Sequence, residues 1–166
     1  MLLKLAAFFE EISERTGQIL VVTPLLMILL QFLIVVLAAF FQEGSIKLQE
    51  SLFYINALMF LAGAGYTLKH NEHVRVDLFY SNFSEHTKKR VDLLGSLFLL
   101  IPFVALVWIS GLPFVIDSWT IFEGSVESSG LPFVYLLKST ILLFALSLSL
   151  QVIANIITLV TDLKKN

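Results

Sequence analysis

The sequence predicts an all-α integral membrane protein with four transmembrane helices, both termini in the cytoplasm and a possible interfacial helix at the N-terminus. The 166 residues are 57% hydrophobic and 14% charged, with a mean hydropathy of +0.87, whereas about a quarter of the residues in soluble domains are charged. Four long stretches contain no Asp, Glu, Lys or Arg, and the remaining basic residues are unevenly divided between the two sides. These three observations favour a membrane protein over a soluble fold.

Each charge-free stretch is long enough, or nearly so, to cross the bilayer, since roughly 20 apolar residues in a helix span its ~30 Å core. Spans in lipid must pair their own backbone groups, and no alternation typical of a transmembrane barrel is present, so the spans are predicted to be helices. Pro24 falls in the first turns of span one, where it is tolerated, and Pro102 is expected to kink span three. A single membrane domain is predicted, with approximate spans at residues 18–41, 50–69, 91–116 and 132–161.

The first eighteen residues, MLLKLAAFFEEISERTGQ, form an amphipathic pattern. Leu5, Phe8, Phe9 and Ile12 recur at helical spacing, which is typical of a helix lying on a membrane surface. A frayed tail assisted by one lysine is the alternative. No cleavage site of small residues follows a basic start and an apolar core, so no removable signal peptide is predicted.

Orientation follows from the basic residues. Nine of the eleven Lys and Arg residues lie in the N-terminal tail, the middle loop and the C-terminal tail, against two, Lys47 and Lys138, on the other side. The positive-inside rule therefore predicts that both termini and the middle loop are cytoplasmic.

Composition and residue placement exclude several classes of function. The absence of cysteine removes disulfides and thiol chemistry, and a net charge of −2 without a basic, aromatic patch argues against nucleic-acid binding. All three histidines fall in the middle loop, so haem ligation inside the bundle is not expected. His70 and His73 with Glu72 or Asp77 make a weak metal pattern, and loop residues beside headgroups are the favoured interpretation. No catalytic, metal or cofactor site is predicted, and the protein is not expected to be an enzyme.

The spans contain neutral polar residues but no ionisable group near mid-membrane, where ion-moving transporters usually keep one. Gln31 lies in span one, and the polar residues of span four recur every four positions on one helix face. Such residues, together with glycines that allow close backbone approach, favour a helix-packing or partner-subunit face. The candidate residues of this face are Asn56, Gly63, Gly65, Ser147, Gln151 and Asn155.

The second outer loop, from Gly111 to Pro132, is richer in functional side chains than a simple connection requires. Trp119 and Phe122 are suited to anchoring at the membrane interface. Glu123 and Glu127, with a further acid at Asp117, offer an acidic patch on which a periplasmic partner can dock. The two interpretations are compatible, and both stay open.

The middle loop contains the run HVRVD, in which His73, Arg75 and Asp77 share one face if the segment is extended. Ser84 is a good N-cap for a helix that continues into span three. The basic run Lys88–Arg90 is then placed to meet anionic headgroups. The loop is therefore predicted to be a short cytoplasmic hairpin that pins spans two and three.

The chain resembles the small membrane subunit of the tripartite ATP-independent periplasmic (TRAP) transporters, of DctQ type. The specific part is LQESLFYINALMFLAGAGYTLKHNEHVRVDLFYSNFSEHTKKRVDLLGSLF, residues 48–98, with the HVRVD run and the later VDLLG that contains Asp92. The Gly130-Leu131-Pro132 sequence before the last span is also similar. Many family members have two acids where this chain has Gln49 and Glu50. His73, Arg75, Asp77 and Asp92 are thereby the candidate signature residues for assembly.

This resemblance implies a non-catalytic scaffold in the bacterial inner membrane. The partners it implies are a larger membrane subunit, which carries the solute and sodium sites, a soluble periplasmic solute-binding protein that delivers the solute, and membrane lipids. The usual cargo of such symporters is organic acids. The alternative is a self-sufficient small homodimeric transporter, which would need solute contacts from the polar residues of its own spans.

Overall fold

Four long helices account for most of the chain. The computed structural model describes residues 1–74, 78 and 80–165. Four helices within it are long and apolar enough to cross a membrane, which confirms the predicted all-α, four-span architecture. They are Leu2–Phe41, Ile46–Lys69, Glu85–Thr120 and Val134–Lys164.

The first span consists of α1 (Leu2–Leu20) and α2 (Thr23–Phe41), which are joined through Val21 and Val22. Both linking residues have helical backbone angles, so the two helices follow one another with almost no break. Pro24 lies in the first turn of α2, where a missing N–H leaves no helical bond unmade. The helix ends at Gln42, whose φ of 52° is left-handed.

The second span consists of α3 (Ile46–Ala57), a π-helical turn (Leu58–Ala62) and α4 (Gly63–Lys69). Ser45 caps α3, because its hydroxyl accepts a hydrogen bond from the Leu48 N–H at 3.4 Å. Only residues 42–45 separate α2 from α3. Spans one and two therefore form a tight antiparallel pair at that end of the bundle.

The third span consists of α5 (Glu85–Gly95), a π-helical turn (Ser96–Leu100) and α6 (Ile101–Thr120). The predicted N-cap is confirmed, since the Ser84 hydroxyl accepts from the Thr87 N–H at 3.3 Å. Pro102 is the second residue of α6, two positions after the end of the π-helical turn. Proline cannot donate a hydrogen bond to the carbonyl one turn earlier. The wider π-helical turn before Pro102 is a local adjustment to that missing bond. Pro102 is the residue that was expected to kink this helix.

The fourth span is α7 (Val134–Lys165), and the bundle is built around it: α1, α4 and α6 all pack against it. Ala145 and Ala154 of this helix have no solvent-accessible surface. Leu148 packs with Ala64 of α4 and Val104 of α6 to form the core. Small side chains let the neighbouring helices approach closely, as is usual between membrane helices.

Helix α1 packs on α7 and α4 through a face of small residues. Ala6, Ser13 and Gly17 are buried in this contact, and the Tyr66 ring covers Gly17 so closely that a side chain there would collide with it. Leu5 and Phe8, from the predicted apolar stripe, remain exposed on another face. The bulky stripe is therefore free to meet lipid while the small residues make the protein contact.

Candidate functional site

The connection between α6 and α7, residues 121–133, folds back over the start of α3. The Ser125 N–H donates to the Leu131 carbonyl at 3.0 Å, and the Gly130 N–H donates to the Glu127 carbonyl at 2.9 Å. These bonds close residues 125–131 into a compact loop, which we call the clasped loop. Its internal backbone pairing means that the connection has a defined shape.

Glu50 of α3 holds both ends of the clasped loop. Its carboxylate accepts the Leu131 N–H at 2.6 Å and also the Ser125 hydroxyl. The Ser125 oxygen in turn accepts the Glu127 N–H at 3.1 Å. The sequence indicated no role for Glu50, because its partners lie about eighty positions away along the chain.

The two predicted docking acids have different surroundings. Glu123 forms an ion pair with Lys138 of α7, whose ammonium also lies 4.1 Å from the centre of the Phe114 ring. The Lys138 ammonium holds the pKa of the Glu123 carboxyl below its ordinary value. Glu127 instead lies at the exposed tip of the clasped loop. Only Glu127 therefore presents its carboxylate chiefly to solvent.

An aromatic cluster supports the base of this loop. The Trp119 indole donates to the Ser139 hydroxyl at 2.9 Å, and its ring lies 4.7 Å from that of Tyr135. The Phe122 ring lies 5.7 Å from the same tyrosine. Trp119 and Phe122, which were predicted to be interfacial anchors, thus also connect α6 to α7.

The described residues of the middle loop, which include His73, lie at the opposite end of the bundle. The His73 ring nitrogen Nε2 lies 3.3 Å from the Ala64 carbonyl of α4, and Asp92 accepts the Tyr80 hydroxyl at 2.7 Å. These contacts tie the loop to α4 and to α5. Arg75 and Asp77, the other two predicted signature residues, lie outside the described residues.

Ion pairs at this same end connect helices that the sequence did not pair. Glu14 of α1 accepts from Lys69 Nζ at 2.7 Å and lies 3.0 Å from Nε2 of His70. Lys89 of α5 contacts Asp162 of α7, also at 2.7 Å. The basic run was expected to meet headgroups, and Lys89 is instead engaged with another helix. The sequence feature that could have indicated this pair is Asp162, an acid in the last helical turn of span four.

The predicted packing residues fall into two groups. Gly65 of α4 lies against Ser147 of α7, where an added Cβ would be 2.6 Å from the Ser147 carbonyl oxygen. Gln151 is 1% exposed and donates to Asn155 at 2.8 Å. Gly65 and Ser147 therefore meet between α4 and α7, Gln151 is buried within the bundle, and Asn155 is bonded to Gln151 one turn along the same helix. Gly63 has room beside it, with Leu20 as its nearest neighbour at 3.6 Å.

Asn56, the remaining residue of that set, lies elsewhere. It lines an open groove between α2 and α3, together with Gln31, whose side chain is exposed. The other residues of the groove are apolar: Met27, Ile28, Leu52 and Phe53. Two amide side chains thus occupy a lateral face of the bundle that no other part of the described chain covers.

The described histidines and acids also bear on metal binding. Among the residues that the structure describes, no group of three His, Asp or Glu side chains is placed to hold a metal ion. His70, from the weak metal pattern, faces Glu14 of α1. The geometry at both ends supports loop anchoring and helix pairing, which are structural roles.

Comparison with known proteins identifies the family. Neither the curated proteins nor the solved structures include a significant match to the chain. The family model described as "Tripartite ATP-independent periplasmic transporters, DctQ component" matches residues 10–162. That match includes spans two and three in full and most of spans one and four. The chain therefore belongs to the DctQ component family of the tripartite ATP-independent periplasmic transporters.

Proposed function

We propose that this chain is the non-catalytic small membrane subunit of a tripartite symporter that takes up organic acids across the bacterial inner membrane. It braces a larger membrane subunit, which carries the solute and the coupling ion, and a soluble periplasmic binding protein delivers the solute. The chain itself is not an enzyme. Both termini lie in the cytoplasm, so the clasped loop faces the periplasm.

The exposed α2 face is the observation that carries this proposal. Helix α2 buries only Thr23, and its one close neighbour is α3. An apolar surface of this kind is compatible with lipid, but an amide is not, because an unpaired amide in hydrocarbon costs several kcal/mol. Gln31 and Asn56 both lie on this face, within the spans. A partner helix with polar groups opposite them would satisfy the two amides.

Co-purification with a tagged large subunit is the direct test. We expect the two chains to elute together in mild detergent, and we expect Gln31→Leu to weaken that complex while leaving the stability of the isolated chain unchanged. Leu33→Val, an exposed change elsewhere on α2, is the control. If Gln31 faces only lipid, the leucine variant will instead bind the large subunit normally, which contradicts the proposed interface.

The signature loop supplies a second test of assembly. We expect Arg75→Ala or Asp77→Ala to reduce complex formation and uptake more than Lys88→Ala does. Lys88 pairs with Glu85 at the i, i+3 spacing on the same helix, and pairs of this spacing contribute about 0.2–0.5 kcal/mol. Equal and negligible effects of all three changes would leave the loop with no assembly role.

Reconstitution separates the proposed scaffold from the self-sufficient transporter. Liposomes that contain this chain alone should show no more solute flux than empty vesicles. Liposomes that also contain the large subunit and the binding protein should accumulate solute when an ion gradient is imposed across the membrane. Accumulation by the chain alone would overturn the scaffold proposal.

A further inference from the structure

The side-chain hydrogen bonds of the clasped loop face Glu50 of α3, whereas the tip of the loop faces solvent. Glu50 Oε2 accepts the Leu131 N–H, Oε1 accepts the Ser125 hydroxyl, and the Ser125 oxygen accepts the Glu127 N–H. The four tip residues, 126–129, are all exposed. Val126 has a relative exposure of 102%, which is that of a residue with no neighbour.

In the clasp, Glu50 acts only as an acceptor. One carboxylate oxygen accepts the Leu131 N–H, and the other accepts the Ser125 hydroxyl. Glutamine can preserve both contacts, because its amide N–H can donate to the second lone pair of the Ser125 oxygen while its carbonyl oxygen accepts the Leu131 N–H. Glu50→Leu removes both acceptors at a similar side-chain size, so it is the variant that breaks the clasp.

Gly130 gives independent evidence that the loop is closely fitted to Glu50. A Cβ built at Gly130 would lie 2.6 Å from Glu50 Oε1 and would also collide with the Ser125 side chain. Gly124, just before the loop, has ordinary space around it, with its nearest neighbour at 3.5 Å. The chain thus contains a matched pair of glycines, one inside the clasp and one outside it.

A loop that is held in one conformation loses little conformational entropy when a partner binds to it. The clasped loop presents one apolar side chain, Val126, beside the carboxylate of Glu127 and the hydroxyls of Ser128 and Ser129. A surface buried in lipid by a second membrane helix would lack this polar tip. The composition of the tip instead fits a water-soluble partner that has a small apolar pocket for Val126, bordered by basic residues that attract Glu127.

We infer that Glu50 is a positioning residue that holds the clasped loop rigid, and that the loop tip at Val126–Glu127 docks the soluble binding protein. This inference rests on the proposed function for the identity of the partner. The clasp itself does not depend on the partner, so the two parts are tested separately.

The absence of native cysteine allows a single label to be placed at Val126→Cys. The first measurement is the mobility of a spin label at that position in the purified chain alone. We expect Glu50→Leu and Gly130→Ala to make the label distinctly more mobile. Glu43→Leu, at an exposed acid in the α2–α3 connection, and Gly124→Ala should leave the mobility unchanged. Equal mobility in all four variants would overturn the clasp.

The second measurement is photo-crosslinking from Val126→Cys in the complex with the large subunit, after addition of the soluble binding protein. We expect a crosslink to the binding protein whose yield falls roughly tenfold in Glu50→Leu, because a loop that is no longer held must be ordered on binding, and tenfold corresponds to about one or two immobilised side chains. The two control variants should retain the yield. A crosslink to the large subunit or to lipid alone would overturn the docking assignment.

Failure of the proposed function would look different. If the chain does not co-purify with the large subunit, the scaffold proposal fails, whatever the mobility of the label. If the complex forms and the label becomes mobile in Glu50→Leu, but the crosslink to the binding protein is absent, then the docking assignment fails while the scaffold proposal stands.

Discussion

Helices α7 and α2 are both long, apolar and free of charge through their centres, yet they have opposite places in the bundle. Helix α7 buries Ala145, Leu148, Gln151 and Ala154 against neighbouring helices, whereas α2 buries Thr23 alone. The span that contains α2 is the more hydrophobic of the two. Hydrophobicity therefore does not separate interior from exterior here. Small and hydrogen-bonding side chains do, because lipid is as apolar as leucine.

The largest expected effect is the difference in stability between alanine-to-leucine variants of α7 and α2. Ala145→Leu inserts three heavy atoms where no surface is exposed, so it should destabilise the isolated chain by about 3 kcal/mol, the upper part of the usual range for overpacking. Ala38→Leu on α2, where the side chain is exposed, should have no effect. Thermal unfolding in detergent measures both. Similar unfolding temperatures for the two variants would contradict the contrast.

A smaller effect is expected at the contact between α4 and α7. Gly65→Ala places a methyl group 2.6 Å from the Ser147 carbonyl oxygen, which neither backbone can avoid without shifting, so we expect a loss of roughly 1–2 kcal/mol. Gly63→Ala, two residues earlier in a position with space, is the matched control. The comparison uses the same unfolding assay. A greater loss from Gly63→Ala would mean that the helices pack through a different face.

The smallest expected effect is on the pH dependence of stability, through the ion pair between Glu123 and Lys138 of α7. Because Lys138 lowers the pKa of Glu123 from its ordinary 4.5, the pair contributes stability above that value and loses it as the pH falls through the lowered pKa. Unfolding temperatures recorded from about pH 6 to about pH 3 should decline less steeply in Glu123→Gln. Glu127→Gln, at the exposed tip, should keep the parent profile. An unchanged slope in Glu123→Gln would indicate that the pair adds nothing to stability.

Much of the architecture could be predicted from the sequence, because the bilayer imposes it. A charge-free stretch of about twenty residues has few alternatives to a transmembrane helix, and Ser84 is recognisable as a cap from its neighbours alone. The polar residues of span four also indicated a helix-packing face. Their spacing predicted that they share one face of the helix, but it did not identify the helix that packs against that face.

The long-range contacts could not be predicted, for physical reasons. The bonds from Glu50 to residues 125 and 131 join segments that only the finished bundle brings together. The same holds for Glu14 with Lys69, and for Lys89 with Asp162. Local periodicity does not report such pairs. The small-residue face of α1 was missed because the bulky stripe beside it gave the stronger pattern.

The central position of α7 has a consequence for biogenesis. It is the fourth of the four spans, so the earlier three leave the ribosome before the helix that organises them exists. Until then, Gly65 of α4 and Lys89 of α5 lack the α7 residues that they contact, Ser147 and Asp162. Quality-control proteases and chaperones would meet this intermediate, and its lifetime is set by how soon the last helix is inserted.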